Sequence, residues 1–183
     1  MSPEPGLLER LSAFPSTAFE GEAFRVTRRG LNPLIPSRSG GRWAPKGGPA
    51  VLYTSTAPSG ALAEIAFHLS LFTPLPSKPV ALHRIGLSTG RTLRLLQATL
   101  VDLGVDWARY GETDYGRTQE IGAALSALGC DGLLVPSARW PCENLILFMD
   151  NQAPGTRLEV LGTEEVDWVA WARANARLPA SSL

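Results

Sequence analysis

The residues best suited to chemistry lie in a basic stretch of the chain that contains a single acid. Residues 23–101 hold ten lysines and arginines and one carboxylate, Glu64, whereas residues 102–183 hold twelve acids and six arginines. Arginine binds phosphate through a bidentate fork, and a fixed carboxylate stabilises a cation that develops as a bond breaks. Three interpretations are open: two surfaces differ in sign, the two halves pair with each other, or Glu64 marks a site.

Arg42 and Glu64 are the strongest candidates within this stretch. Gly40 and Gly41 precede Arg42 and let the backbone come close to a ligand, although the same tripeptide also suits a surface turn. Glu64 is either a solvated helix residue paired with His68, four positions later, or a group that faces a developing ribosyl cation. Cleavage of a ribosyl–nitrogen bond passes through an oxocarbenium-like state. Arginines on the phosphates and one carboxylate at the ribose are the minimum set for that reaction.

Tyr53 and Ser137 are two further candidates. Tyr53 ends a predicted strand and either offers a flat face to a nicotinamide or adenine ring or is an ordinary half-buried strand tyrosine. Ser137 lies in a predicted turn, as a hydrogen-bond donor to ligand or simply as a turn residue. A serine hydrolase is disfavoured because no Gly-x-Ser-x-Gly is present and only two histidines are available as base. A metal site built from those histidines and Glu64 has no recognised ligand pattern, and we predict none.

Composition and missing motifs argue against several classes of function. The net charge is zero, so nothing global favours nucleic acid or an anionic membrane. Neither a Walker loop nor a Rossmann fingerprint is present. No apolar run approaches the roughly 20 residues that span a bilayer, no secretory signal is evident, and two cysteines suit a reducing compartment. We therefore expect a cytoplasmic protein with no prosthetic group and no direct contact with nucleic acid or membrane.

The elements that must position these residues do not alternate regularly between strand and helix, which favours a single mixed α+β domain over a doubly wound sheet. Glycine, proline and serine predict a long loop at 30–49. Hydrophobic patterns predict strands at 23–27, 50–54, 80–87, 132–135, 145–148 and 157–161. They predict helices near the N-terminus, at 61–71, at 118–128 and after residue 163.

Two helix caps are expected. Ser59 is the expected cap of the helix at 61–71, and Thr163 that of the last helix. Three acids would lie in the first turn of that last helix: Glu164, Glu165 and Asp167. Its two tryptophans are expected to pack against the core. The expected segments of the domain are a lead-in with a short helix (1–22), a catalytic part (23–162), and a helix and tail packed on it (163–183).

Taken in order, six segments of the chain resemble the RES domain, a bacterial toxin family named for an arginine, a glutamate and a serine. The resemblance extends from about Phe24 to about Asn151. The segments are Phe24-Arg25-Val26, Ser39–Trp43, Leu52–Ser55, Ala61–Glu64, Gly132–Arg139 and Asn144–Phe148. Ala44 departs from the pattern, because the family often has asparagine there.

The resemblance implies a fold similar to that of ADP-ribosyltransferase toxins, with NAD as substrate and nicotinamide as the group lost. Arg42, Tyr53 and Glu64 would be the catalytic residues beside the nicotinamide ribose, and Arg25 and Ser137 would complete the pocket. The ADP-ribose acceptor would be phosphate, water or a protein side chain. Such toxins pair with an antitoxin of helix-turn-helix type that blocks the NAD pocket, and an oligomer would form through that antitoxin.

A non-catalytic module that binds a nucleotide or nucleic acid through the basic N-terminal half is the alternative function. The zero net charge and the lack of aromatic residues interleaved with the basic ones count against it.

Overall fold

Six strands and five helices form the described part of the chain, which is residues 5–178 of a computed structural model. The strands are β1 (Thr17–Arg28), β2 (Val51–Ser55), β3 (Val80–Arg94), β4 (Gly132–Pro136), β5 (Glu143–Phe148) and β6 (Leu158–Val166). The helices are α1 (Pro5–Ser12), α2 (Pro58–Ser70), α3 (Gln97–Asp102), α4 (Gly116–Ala127) and α5 (Trp168–Ala174). The mixed α+β domain expected from the sequence is confirmed.

The strands make one sheet in the order β1-β2-β5-β4-β3-β6, and β1 also pairs with β3. These pairings close a ring of five strands and leave β6 on β3 outside the ring. β3 and β4 run parallel, and the other pairs are antiparallel. Within residues 5–178 no helix is long and apolar enough to cross a membrane.

Three clusters of buried side chains hold the helices on the sheet. One joins α1, α3 and α4 to the strands through residues such as Leu7, Leu100 and Ile121. A second joins α2 and α5, where Trp168 is fully buried as expected of a packing residue. The third consists of strand residues alone: Ala23, Leu52, Ile85, Leu87, Leu145 and Leu147. The helix that contains Glu64 is therefore anchored by a cluster that it shares with α5 and β3.

Two strands are longer than their sequence patterns predict. β1 begins at Thr17 instead of residue 23, and β3 continues to Arg94 instead of ending at residue 87. Extra residues of the two strands pair with each other, from Thr17 opposite Thr92 to Glu20 opposite Ser88. Glycines interrupt both segments, so local propensity is weak there, and the ladder between the strands decides the conformation.

Both expected helix caps are wrong. Ser59 lies inside α2, which begins at Pro58 with Ala57 as its N-cap and has no side-chain cap. Proline suits the first helical position because its missing N–H would have no partner there. Thr163 lies in β6, opposite His83 of β3. The last helix begins at Trp168 instead, and the side chain of Asp167 caps it by accepting a hydrogen bond from the Ala170 amide.

The expected division of the chain at residues 22 and 162 stays a prediction, and both boundaries fall within strands, β1 and β6. Residues 1–4 of the expected lead-in and residues 179–183 of the expected tail lie outside the described residues.

The long loop at 30–49 is present and is fixed by α4. Gly122 of α4 lies so close to Trp43 that an added Cβ would overlap the Trp43 carbonyl oxygen. One turn earlier, Gln119 donates a hydrogen bond of 2.9 Å from Nε2 to the Gly41 carbonyl. Close packing and a hydrogen bond thus hold the part of the loop that contains Arg42.

We expect Gly122→Ala to destabilise the protein. Alanine adds up to about 1 kcal/mol of helix propensity, but forcing a methyl group against backbone costs about 1–3 kcal/mol or more, so the clash wins. Thermal and urea unfolding would measure the loss. Gly116→Ala is the matched control on the same helix, because its added Cβ would meet only Asp114 Oδ1, at 3.8 Å. A Gly122→Ala protein that melts at or above wild type would contradict this packing.

Candidate active site

A cavity of about 280 Å³ opens beside β1, β2, β5, α2 and the loop at 30–49. Four of the five site residues expected from the sequence line it: Arg25, Arg42, Tyr53 and Glu64. Ser137 is not among the lining residues and instead contacts Glu64. Elements distant in sequence therefore bring the predicted residues into one place.

Glu64 is held by two neutral donors. Its Oε1 accepts a hydrogen bond of 3.1 Å from the Ser137 hydroxyl and one of 3.0 Å from Asn144 Nδ2. Within residues 5–178 no group donates to Oε2, so this oxygen is available to a ligand. Glu64 is half-buried, and the interpretation of a solvated residue paired with His68 does not fit these contacts.

A close approach at the start of α2 places Glu64 against these donors. An added Cβ on Gly60 would overlap both Ser55 Oγ and Cys142 Sγ. Ser55 ends β2, and Cys142 precedes β5. The absence of a side chain at Gly60 lets the first turn of α2 pack on these two strand ends, and Glu64 follows one turn later.

Ser137 organises the turn between β4 and β5. Its hydroxyl oxygen accepts hydrogen bonds from the Arg139 and Trp140 amides, at 3.1 and 3.3 Å, while its proton is donated to Glu64. Ser137 is thus both a turn residue and a hydrogen-bond donor, and the group that receives its hydrogen bond is a side chain of the protein. Direct contact between Ser137 and a ligand stays a prediction.

Asn144 is a site residue that sequence reasoning missed. It lies on β5 opposite Ser55, lines the cavity and donates to Glu64. Its Oδ1 is shielded from solvent and has no hydrogen-bond partner among the described residues. A polar residue at the start of the apolar segment Leu145–Phe148 was the available signal.

Arg25 has an unpaired donor. Its Nη2 donates to the Ile35 carbonyl at 3.3 Å, whereas its buried Nη1 has no hydrogen-bond partner within residues 5–178. Burial lowers the pKa of Arg25, which reflects the cost of removing the cation from water. His83, opposite Arg25 on β3, is hydrogen-bonded at 2.8 Å to Thr27 and to Thr163. Burial, and then the charge of Arg25, lower the pKa of His83.

Arg42 is flanked by two aromatic rings that the sequence did not indicate. Its Cζ lies 4.7 Å from the ring centroid of Tyr110 and 4.7 Å from that of Tyr115. Its Nη2 donates to the Glu112 carbonyl at 3.3 Å. All three partners lie about 70 residues downstream, so no local pattern could have revealed them.

Tyr53 is a neutral phenol in this site. Its hydroxyl oxygen accepts a hydrogen bond of 3.2 Å from the Trp43 amide, and burial raises its pKa to about 12. It therefore offers a ring and a hydroxyl to a ligand at neutral pH, but no negative charge.

Arg139, in the turn after β4, is another cation that was not predicted. Its Cζ lies 3.4 Å from the ring centroid of Phe67 on α2, and its buried Nε has no hydrogen-bond partner in the described part of the chain. Burial lowers the pKa of Arg139, and the charge of Glu64 partly offsets that effect.

Ion pairs between the two halves explain part of the charge asymmetry. Three arginines of the basic half pair with acids of the second half: Arg29 with Glu165, Arg38 with Asp150, and Arg94 with Glu143, at 2.9, 2.8 and 2.7 Å. No carboxylate of the described residues forms an ion pair with Arg25 or Arg42. The two halves thus pair in part, and Arg25 and Arg42 of the cavity take no part in that pairing. Among residues 5–178, no group of His, Cys, Asp or Glu side chains could hold a metal ion.

The chain is similar to a probable NAD(+) phosphorylase and to a chain of a solved complex, both from Mycobacterium tuberculosis. A probable NAD(+) phosphorylase is 34% identical over 119 residues, which are 62% of this chain and 56% of that protein. The chain thus spans little more than half the length of this relative. The crystal structure of the MbcT–MbcA toxin–antitoxin complex contains a chain that superimposes with a TM-score of 0.82 at 19% identity, covering 94% of this chain and 98% of that one. This likeness shows a common fold.

The family model named RES domain matches residues 18–169. The match includes every strand from β2 to β6, nearly all of β1, and all the candidate site residues. It covers far more than half of the sequence, and it agrees with the resemblance that the ordered segments suggested. The chain belongs to the RES domain family.

Proposed function

We propose that the cavity binds NAD and cleaves the bond between nicotinamide and ribose, transferring ADP-ribose to phosphate, water or a protein side chain. The observation that carries the proposal is one carboxylate, Glu64, fixed by neutral donors in a cavity that also contains Arg25 and Arg42. The name of the similar M. tuberculosis protein, a probable NAD(+) phosphorylase, supports NAD as substrate and favours phosphate as acceptor.

Glu64 would act on the charge that develops at the ribose. As the bond from C1′ to the nicotinamide nitrogen breaks, its electron pair leaves with the neutral nicotinamide and positive charge spreads over C1′ and the ring oxygen. Oε2 of Glu64 would stabilise this cation directly or through a ribose hydroxyl. An acceptor oxygen then forms the new bond at C1′. The bonds from Ser137 and Asn144 to Oε1 keep the carboxylate in place throughout.

Arg25 and Arg42 would hold the two phosphates. Both line the cavity, and neither forms an ion pair with an acid of the described residues. The buried, unpaired Nη1 of Arg25 would gain the partner that buried donors normally have. Tyr53 would present its ring to the nicotinamide or the adenine. NAD is the substrate in this scheme, and no prosthetic group is required.

An antitoxin of helix-turn-helix type that covers the cavity is the proposed partner, and any oligomer would form through it. The support is the fold shared with a chain of the MbcT–MbcA toxin–antitoxin complex. We also propose that the protein acts in the cytoplasm, on the NAD pool found there.

Nucleic-acid binding by the basic half has less support. Several of its arginines pair with acids, and the unpaired Arg25 and Arg42 line a cavity instead of an open basic surface. A duplex recognised through its phosphates needs such a surface.

Wild-type protein should release nicotinamide from NAD, and Glu64→Gln should lower kcat about a hundredfold to a thousandfold, because it removes the charge opposite the developing cation. Affinity for NAD should change far less, since the phosphates do not contact Glu64. Mass spectrometry of the products, with and without phosphate, measures turnover and identifies the acceptor. No nicotinamide from folded wild-type protein refutes the function; a Glu64→Gln protein with near wild-type turnover refutes only the role of Glu64.

Arg25→Gln should weaken ADP-ribose binding about tenfold to a hundredfold, because a hydrogen bond to a charged group contributes about 1.5–3 kcal/mol. Calorimetric titration measures the affinity. Arg28→Gln is the control, an exposed arginine on the same strand, and should bind like wild type. Equal losses in both variants would mean a general effect of charge.

Ser137→Ala should lower kcat about tenfold to a hundredfold without abolishing it, because Glu64 keeps its bond from Asn144 and loses only one donor. Steady-state kinetics on the folded variant tests this. Ser70→Ala is the control, since that hydroxyl bonds only the Phe67 carbonyl within α2. Complete loss of activity in a folded Ser137→Ala protein would instead indicate a serine nucleophile.

A further inference from the structure

Four flat groups contact one another in series, and two of them, Arg42 and Tyr115, line the cavity. Trp107 and Tyr110 stack with centroids 4.4 Å apart and planes at 16°. The guanidinium of Arg42 follows, within cation–π range of both Tyr110 and Tyr115. Tyr115 also lines the cavity. The cation that faces the cavity is therefore held between the rings of Tyr110 and Tyr115.

This way of holding an arginine leaves its charge available. Arg94 and Arg109 are held by carboxylates, Glu143 at 2.7 Å and Glu112 at 2.8 Å, which compensate their charge. Arg42 has ring faces and one backbone carbonyl instead. A guanidinium has five N–H donors, and ring faces do not occupy them. Most donors of Arg42 therefore stay free for an anion.

The rings are themselves fixed. Tyr110 is only 5% exposed, and its hydroxyl donates to the Pro136 carbonyl at 2.8 Å. Pro136 immediately precedes Ser137, which binds Glu64. Tyr115 is the N-cap residue of α4, the helix that packs on the loop of Arg42. A chain of contacts therefore links Arg42 to Glu64: Arg42 lies against Tyr110, which bonds to the turn after β4, and that turn bonds to Glu64.

We propose that Tyr110 and Tyr115 are positioning residues that orient Arg42 toward a diphosphate group without neutralising it. The proposal rests on the proposed function for the identity of the substrate, NAD. The ligand chemistry it requires is a diphosphate, and ADP-ribose is the probe. The competing explanation is that both rings only fill space, as Tyr110 does within its hydrophobic cluster.

Fluorination separates these explanations, because it withdraws electron density from a ring face with little change in shape. Position 115 is occupied in turn by phenylalanine and its mono-, di- and trifluorinated forms. Affinity for ADP-ribose, measured by calorimetry, should fall stepwise along the series, with a total loss of roughly two- to thirtyfold. The same fluorinated residues at position 72 are the control, because Phe72 is exposed and has no role in the proposed site. They should leave the affinity for ADP-ribose unchanged.

Kinetics provides the second measurement. Tyr115→Leu keeps bulk but removes the ring face, so KM for NAD should rise more than kcat falls. The positioning role is overturned if affinity for ADP-ribose does not change along the fluorine series, or if Tyr115→Leu leaves KM for NAD unchanged. If affinity for ADP-ribose falls along the fluorine series but wild-type protein releases no nicotinamide, the proposed function is wrong and the positioning role of the two rings still holds. If wild-type protein does not bind ADP-ribose, both the positioning role and the proposed function are wrong.

Discussion

Pairing of β2 with β5 is the constraint on which the rest of the site depends. The register sets Ser55 opposite Asn144 and Tyr53 opposite Ile146. α2 starts three residues after β2 ends, so the same register brings the first turns of α2 beside the start of β5 and the turn before it. A slip of one residue would turn Asn144 to the other face of the sheet, and Glu64 would lose one of its two donors.

The second theme is the use of neutral groups to hold charged ones. Glu64 is held by a hydroxyl and an amide, and Arg42 by two phenol rings and a carbonyl. A direct ion pair between the two would satisfy both and leave nothing for a ligand. Among the described residues, buried polar atoms near the cavity have no hydrogen-bond partner, including Arg25 Nη1 and Asn144 Oδ1. Such unpaired groups cost stability, as is common at functional sites.

The sequence revealed candidates that their own neighbours along the chain identify, but not those that only folding brings to the site. Arg42, Tyr53 and Glu64 could be singled out because residue type, neighbours and charge environment are visible along the chain. Tyr110 and Tyr115 could not, because their contacts with Arg42 depend on how distant segments pack. Asn144 left a weak signal, a polar residue before an apolar segment, but its contact with Glu64 depends on the pairing of β2 with β5. The cap at Thr163 failed for the same reason: a threonine followed by acids suits a helix start, but pairing with β3 makes that segment a strand.

The distance in sequence between the two sides of the site determines when, during synthesis of the chain, the cavity can form. Eighty residues separate Glu64 from Asn144, and seventy separate Arg42 from Glu112. At roughly 5–20 residues per second, a ribosome needs about 4–16 seconds to synthesise the segment from Glu64 to Asn144. A nascent chain that ends before β5 contains Arg42, Tyr53 and Glu64 but no assembled cavity. The order of synthesis therefore delays assembly of the cavity until the second half of the chain has emerged.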